Sequence, residues 1–218
     1  NGAGKTSVFN CISGVYVPQE GTITLDGTSL LGSRRRSAQL GVARTFQNLG
    51  LFPTLTVIEN LLLGRHRHMR SGFLSGAAWI GRARAEEHEH REAISELLVL
   101  LDLDHFQDAH VALLPYGIQK RVELGRALAM EPRLLLLDEP VAGMNSEETE
   151  AMASHLRAVR SARPDLAIIL VEHDMPFVMG IADRVVAMDF GATIASGTPA
   201  EVQADEAVIA AYLGAPAS

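Results

Sequence analysis

The sequence has little of what marks secreted, membrane-spanning or nucleic-acid-binding proteins. Its one cysteine, Cys11, cannot form a disulfide within the chain. The longest apolar runs, such as 134–137 and 167–171, are far shorter than the roughly 20 residues that span a bilayer. Nineteen basic residues against 26 acidic ones give a net charge of -7, which opposes nucleic acid as a ligand. No basic and apolar leader opens the sequence, so we expect a cytoplasmic protein that reaches a membrane through partners.

What the chain does contain is the pattern of an α/β fold. A hydrophobic content of 47% across 218 residues is enough for a sizeable core. Residues 22–27 alternate and then turn, as expected of a half-exposed antiparallel strand, and residues 56–103 follow a helical pattern. The run 134–137 predicts a strand buried on both faces, which is typical of parallel sheets. Strands predicted at 167–171 and 184–188, each preceded by a helical segment, continue this alternation.

The first residues match the later part of a phosphate-binding loop: Asn1, Gly2, Ala3, Gly4, Lys5, Thr6 and Ser7. Glycines let successive backbone N–H groups curl around phosphates at the start of a helix. Lys5 would then reach the terminal phosphates of ATP, and the Thr6 hydroxyl would bind Mg²⁺. We expect the first residues of this loop, and the strand before it, to lie upstream of Asn1. The alternative for this stretch alone is a chance glycine-rich turn.

A pair of carboxylates, Asp138 and Glu139, follows the strand predicted at 134–137. Ligands of open α/β sheets bind at the carboxyl ends of the strands, where this pair would lie. Asp138 would hold the Mg²⁺ shell, and Glu139 would polarise the water that attacks the γ-phosphate. An isolated Asp-Glu pair would instead be a solvated turn.

These motifs stand in the order found in the ATPase subunits of ABC transporters, which the chain resembles over essentially its whole length. The other matching elements are Gln47, the segment 114–119 and His173. By that resemblance Gln47 would be the Q-loop residue that senses Mg²⁺ and the membrane subunit. His173 would be the switch histidine that contacts the γ-phosphate. Without the resemblance, both would be ordinary loop or surface residues.

The segment 114–119 resembles the ABC signature, whose helix start closes over ATP bound to a second ATPase subunit. This implies that Gly117 and Gln119 contact nucleotide and that hydrolysis needs a pair of ATPase chains, identical or homologous. The common form is Leu-Ser-Gly-Gly-Gln, from which this chain departs at Pro115, Tyr116 and Ile118. The serine hydroxyl is lost, whereas the backbone N–H groups of the helix start could still bind an anion.

The departures themselves narrow the resemblance to the LivG-type ATPase of branched-chain amino-acid importers. The segments that carry it include 44–47, 114–117, 142–145, 171–175 and 211–214. Ile118 departs even from this subfamily, where a polar residue is expected.

The resemblance implies a P-loop NTPase fold, an ABC ATPase domain over residues 1–218. We expect a mostly parallel core sheet, a small antiparallel β subdomain and a helical subdomain at about residues 65–130. ATP and Mg²⁺ would be the cofactors. The partners would be two transmembrane permease subunits and an extracytoplasmic solute-binding protein, which places the chain at the cytoplasmic face of a bacterial-type membrane.

Three other functions stay open from the sequence. The ATPase of a urea or short-amide importer would have similar motifs. A non-hydrolysing, nucleotide-dependent interaction subunit would suit the altered signature and Asn145, but the residues Lys5, Asp138 and Glu139 argue against it. An ABC ATPase of DNA repair or translation should have a basic groove or a second cassette, which the charge of -7 and the single cassette oppose.

Overall fold

A computed structural model describes residues 3–45, 50–66 and 79–213, with the backbone alone at 79–88 and 212–213. The helices there are α1 (Lys5–Ile12), α2 (Arg34–Gln39), α3 (Val57–Arg65), α4 (Trp79–Leu100), α5 (Tyr116–Leu128), α6 (Ser146–Ala162), α7 (Met175–Ile181), α8 (Pro199–Ala204) and α9 (Glu206–Leu213). The strands are β1 (Thr24–Leu25), β2 (Thr28–Ser29), β3 (Val42–Arg44), β4 (Leu134–Asp138), β5 (Ala167–Val171), β6 (Val185–Asp189) and β7 (Ala192–Gly197). This is the α/β arrangement that the sequence predicts, and none of these described helices is long and apolar enough to cross a bilayer.

A parallel sheet in the order β3-β4-β5 lies at the centre of the fold. Its middle strand β4 is buried at every residue, which confirms the prediction from its run of leucines. The pairing of β4 with β5 ends where Asp138 lies opposite Val171. The loops that follow these two strands therefore leave the sheet side by side at its carboxyl edge.

The remaining strands form antiparallel pairs. Strands β1 and β2 make the small hairpin predicted from 22–27. Strand β6 begins at Val185, and in the described part of the chain it pairs antiparallel with β7 instead of extending the parallel sheet. The prediction that 184–188 continues the parallel alternation is therefore wrong, because the left-handed turn at Phe190 and Gly191 folds β7 back on β6 as a hairpin.

Helices α3, α4 and α5 pack together beside the sheet. Helices α3 and α5 come so close that a Cβ added at Gly64 would lie 2.3 Å from the carbonyl oxygen of Arg126. One hydrophobic cluster contains both these helices and β4, through residues such as Leu61, Leu97 and Leu135. A separate helical subdomain at about 65–130 stays a prediction.

Candidate functional site

The described part of the phosphate loop leads directly into α1. Gly4 is the residue before the helix, and its φ of 89° lies in the left-handed region that favours glycine. The carbonyl of Ala3 accepts a hydrogen bond from the N–H of Gly191 at 3.2 Å, which ties the loop to the β6-β7 turn. Lys5 is half-buried, and both Thr6 and Ser7 are exposed at the helix start. Asn1 and Gly2 lie outside the described residues.

The carboxylate pair lies at the end of β4, as predicted. The Asp138 side chain is 2% exposed, and its Oδ2 lies 2.7 Å from Nη2 of Arg44. The backbone N–H of Asp138 donates to the hydroxyl of Thr45 at 3.3 Å. Glu139 has a φ of 49°, and its N–H donates to the carbonyl of Val171 at 2.9 Å. A positive φ at a residue other than glycine is uncommon and concentrates at functional sites.

Arg44 joins this carboxylate to the helix that begins at the phosphate loop. Its Nη1 donates to Oδ1 of Asn10 at 2.7 Å and to the hydroxyl of Ser13 at 3.3 Å, both at the far end of α1. The guanidinium carbon also lies 5.5 Å from the centre of the Phe9 ring. One buried arginine therefore fixes α1 relative to Asp138.

These residues fit Mg²⁺ in the way that nucleotide sites hold it. Magnesium is usually bound by one or two carboxylates together with phosphates and water, not by an all-protein cage. The described residues contain no cluster of three or more histidine, cysteine or acidic side chains. A buried carboxylate at Asp138 and an exposed hydroxyl at Thr6 are the hard oxygen donors that such a site uses.

His173 lies in the loop after β5, beside the loop that carries Glu139. Its side chain is 68% exposed, whereas the preceding Glu172 side chain is fully buried at 0%. Oε1 of Glu172 accepts from the N–H of Val141 at 3.0 Å. Oε2 accepts from the N–H of His173 at 2.9 Å and from that of Asp174 at 3.4 Å. This carboxylate thus links the two loops at the edge of the sheet.

The predicted signature forms the start of α5. The residue before the helix is Pro115, and no side chain caps the helix there. A Cβ at Gly117 would lie 2.7 Å from Oε1 of Glu148, and one at Gly143 would lie 3.4 Å from the Tyr116 ring. The start of α5 therefore packs against the loop before α6 and the first turn of α6.

Gln119 is engaged within its own segment. Its Nε2 donates to the carbonyl of Leu114 at 2.8 Å. Only the amide nitrogen of a glutamine side chain can donate to a phosphate, so contact with nucleotide requires this bond to open.

Gln47 lies outside the described residues, but α5 touches both flanks of its segment. Arg126 donates a hydrogen bond to the carbonyl of Gly50, and burial lowers the pKa of this arginine. On the other flank, Thr45 lines a small cavity together with Lys120 and Pro140. The helix that begins at the signature is thus anchored to the chain on either side of Gln47.

Sequence reasoning missed Arg44 and Glu172 as site residues. Both were noticed only as parts of motifs that narrow the resemblance. The signal that could have found them is a charged residue directly at the end of an apolar strand, where burial requires a specific partner.

Comparisons with known proteins agree with this geometry. A family described as "ABC transporter" matches residues 1–142, and one described as "Branched-chain amino acid ATP-binding cassette transporter" matches 192–218. The high-affinity branched-chain amino acid transport ATP-binding protein BraF of Pseudomonas aeruginosa is 42% identical over 98% of this chain and 84% of its own. The corresponding protein LivG of Escherichia coli is 40% identical over the same shares.

Solved structures give the same picture. A nucleotide-free ATP-binding cassette from an ABC transporter is 26% identical, with a TM-score of 0.79 over 99% of this chain and 85% of that one. The ADP conformation of another such cassette is 25% identical, with a TM-score of 0.80 over the same shares.

Proposed function

The chain belongs to the ABC transporter family of ATP-binding proteins, and on this basis we propose that it hydrolyses ATP to power the import of branched-chain amino acids. The observation that carries the proposal is the 42% identity to BraF, which extends over 98% of the chain. The match to a branched-chain cassette family at residues 192–218 supports it independently, because that segment lies outside the general ABC match.

The residues at the carboxyl edge of the sheet have the chemistry that hydrolysis needs. Lys5 and the backbone N–H groups at the start of α1 bind the phosphates, with Asn1, Gly2, Ala3, Gly4 and Ser7 as the rest of the loop. Bound Mg²⁺ would neutralise phosphate charge, and Thr6, Asp138 and Gln47 would hold it. Glu139 accepts the proton of the attacking water, and the exposed His173 contacts the γ-phosphate.

A second ATPase subunit completes the site. The start of α5, with Gly117 and Gln119, binds the nucleotide held by that subunit through its backbone N–H groups. Supporting this, α5 is a helix of 13 residues with no side-chain cap at its start, which leaves backbone donors for an anion.

The membrane partners contact the face beside the Q-loop. Phe52 and Leu113 are exposed there at 52% and 79%, and the two segments that carry them are joined by a hydrogen bond from Ala112 to the carbonyl of Pro53. Asn60 fixes the Phe52 loop, because its buried amide bonds both the N–H and the carbonyl of Phe52. We infer two transmembrane subunits on this face, a location at the cytoplasmic side of the membrane and an extracytoplasmic solute-binding protein.

Uptake measurements test the assignment. We expect deletion of the gene to abolish high-affinity uptake of labelled leucine, isoleucine and valine, and a plasmid copy to restore it. A plasmid copy with Glu139→Gln should fail to restore uptake although the protein accumulates normally. Loss of urea uptake with unchanged uptake of the three amino acids would reject the proposal in favour of a urea importer.

A further inference from the structure

The buried carboxylate of Glu172 lies where the sheet stops and the two candidate catalytic loops begin. The last paired residues of β4 and β5 are Asp138 and Val171, and one more bond follows, from the N–H of Glu139 to the carbonyl of Val171. Beyond that point no strand pairing joins the two described loops. Pro140 has no N–H to donate, so the next backbone donor after Glu139 is Val141.

Glu172 continues the connection by means of its side chain. One carboxylate oxygen accepts the N–H of Val141 at 3.0 Å, two residues after Glu139. The other accepts the N–H groups of His173 and Asp174 at 2.9 and 3.4 Å. The side chain therefore holds both loops at once, one with each oxygen.

Its burial makes this link demanding. A carboxylate with 0% exposure has lost its water, and only good hydrogen bonds can compensate for that. Backbone donors from two loops supply them, so each loop restrains the other through the same charged group. A neutral or shorter side chain at this position would leave buried N–H groups on one loop without an acceptor.

We propose that Glu172 is a positioning residue for ATP hydrolysis, which fixes the loop of Glu139 relative to the loop of His173. The inference rests on the proposed function. Glu172 acts through its neighbours, since its hydrogen bonds are to the N–H groups of Val141, His173 and Asp174. Displacement of a reacting group by about 1 Å can cost on the order of 100-fold in rate, so this link bears directly on turnover.

The test uses the full-length ATPase with its partner subunits and compares Glu172→Gln with Glu172→Asp. The glutamine has the same size but places an amide N–H group against one of the loops. The aspartate keeps the charge but is one methylene too short to reach both loops. We expect both to lower kcat for ATP by about tenfold or more, with KM for ATP close to that of the wild type. A wild-type kcat in either variant overturns the proposal.

A matched control separates positioning from loss of stability. Val159→Ala opens a cavity at a fully buried residue of α6 and lowers the unfolding midpoint without touching either loop. We expect it to keep the wild-type kcat even where its midpoint is as low as that of Glu172→Gln. If kcat falls in step with the midpoint in all three variants, Glu172 has only a structural role.

Two further measurements address the link itself. In a His173→Ala background, Glu172→Gln should lower kcat less than it does in the wild type, because one of the two positioned groups is already gone. In the nucleotide-free protein, hydrogen exchange at the amides of Val141 or His173 should become faster in Glu172→Gln. Unchanged exchange at both amides overturns the proposal. This readout needs no turnover, so it still tests the link if the wild type fails to hydrolyse ATP and the proposed function is wrong.

Discussion

Two regions of the molecule that are expected to contact nucleotide are held in opposite ways. At the carboxyl edge of the sheet, buried charges do the work: Asp138 pairs with Arg44, and Glu172 binds the backbone of two loops. At the start of α5, Tyr116 lies against Gly143 and Gly117 lies against Glu148. A charged network fixes atoms to within a bond length and fails sharply when one member is lost, whereas a packed backbone depends on the absence of side-chain atoms.

The largest effect should come from Glu139→Gln, which tests the charged edge at its reacting group. We expect turnover to fall by about 10²- to 10⁴-fold, because the base that accepts the proton of water is removed while the phosphate contacts stay. Single-turnover hydrolysis and ATP affinity should be measured together. The exposed Glu92→Gln on α4 is the control, with unchanged values for both. Turnover within a few-fold of the wild type in Glu139→Gln would remove Glu139 from its assigned role.

The next largest effect should come from Arg44→Met, which strands the buried Asp138 without its partner. We expect a loss of about 3 kcal/mol in the free energy of unfolding, measured by denaturant titration. The double variant Arg44→Met with Asp138→Asn should recover part of that loss, because no charge is then left buried. If the double variant is less stable than Arg44→Met alone, the pair is not the source of the effect.

A smaller effect is expected from Gly117→Ala at the packed start of α5. The new Cβ would lie 2.7 Å from Oε1 of Glu148, whose Oε2 accepts the N–H of Asn145 at 3.0 Å. Moving Glu148 disturbs this cap of α6, at about 1 kcal/mol. With Glu148→Ala already in place the crowding is gone, so adding Gly117→Ala should change the unfolding free energy little. Equal losses in both backgrounds would show that Glu148 is not the obstacle.

The smallest effect is a pH dependence at His155, which lies outside both regions. Burial, and then the charge of Arg121, lower the pKa of His155 below its ordinary value of 6.5, against smaller opposing effects of the Leu100 carbonyl and Asp102. The unfolded chain therefore binds a proton that the folded chain resists, and stability should fall as the pH drops below about 6.5. His155→Gln should flatten this part of the curve of unfolding midpoint against pH. An identical slope in the variant would assign it to other groups.

The comparison also explains what the sequence could predict. The carboxylates, the phosphate loop and His173 stand at the ends of predicted elements, and their chemistry is visible from residue type alone. The structure brings Asp138, Glu139 and His173 together at neighbouring strand ends, because the leucine strand β4 pairs in parallel with β5. Their roles in hydrolysis stay predictions.

What the sequence did not predict depends on contacts far along the chain. Asn10 on α1 and Asp138 on β4 meet only through Arg44 on β3, and no local pattern specifies that bridge. The pairing of β6 with β7 was missed for a related reason. A short apolar strand has the same pattern in a parallel sheet and in a hairpin, and only the left-handed turn at Phe190 and Gly191 distinguishes them.

The close approach of α3 and α5 has a consequence for the genetics of transport. A methyl group at Gly64 would collide with the backbone of Arg126 at 2.3 Å, and a backbone carbonyl cannot rotate away as a side chain can. A screen for transport-defective alleles should therefore recover changes at Gly64 as often as changes in the phosphate loop, although Gly64 has no side chain to contact a nucleotide or a membrane subunit. Sorting such alleles by protein abundance would separate them, since a Gly64 allele lowers the amount of folded protein and a Glu139 allele does not.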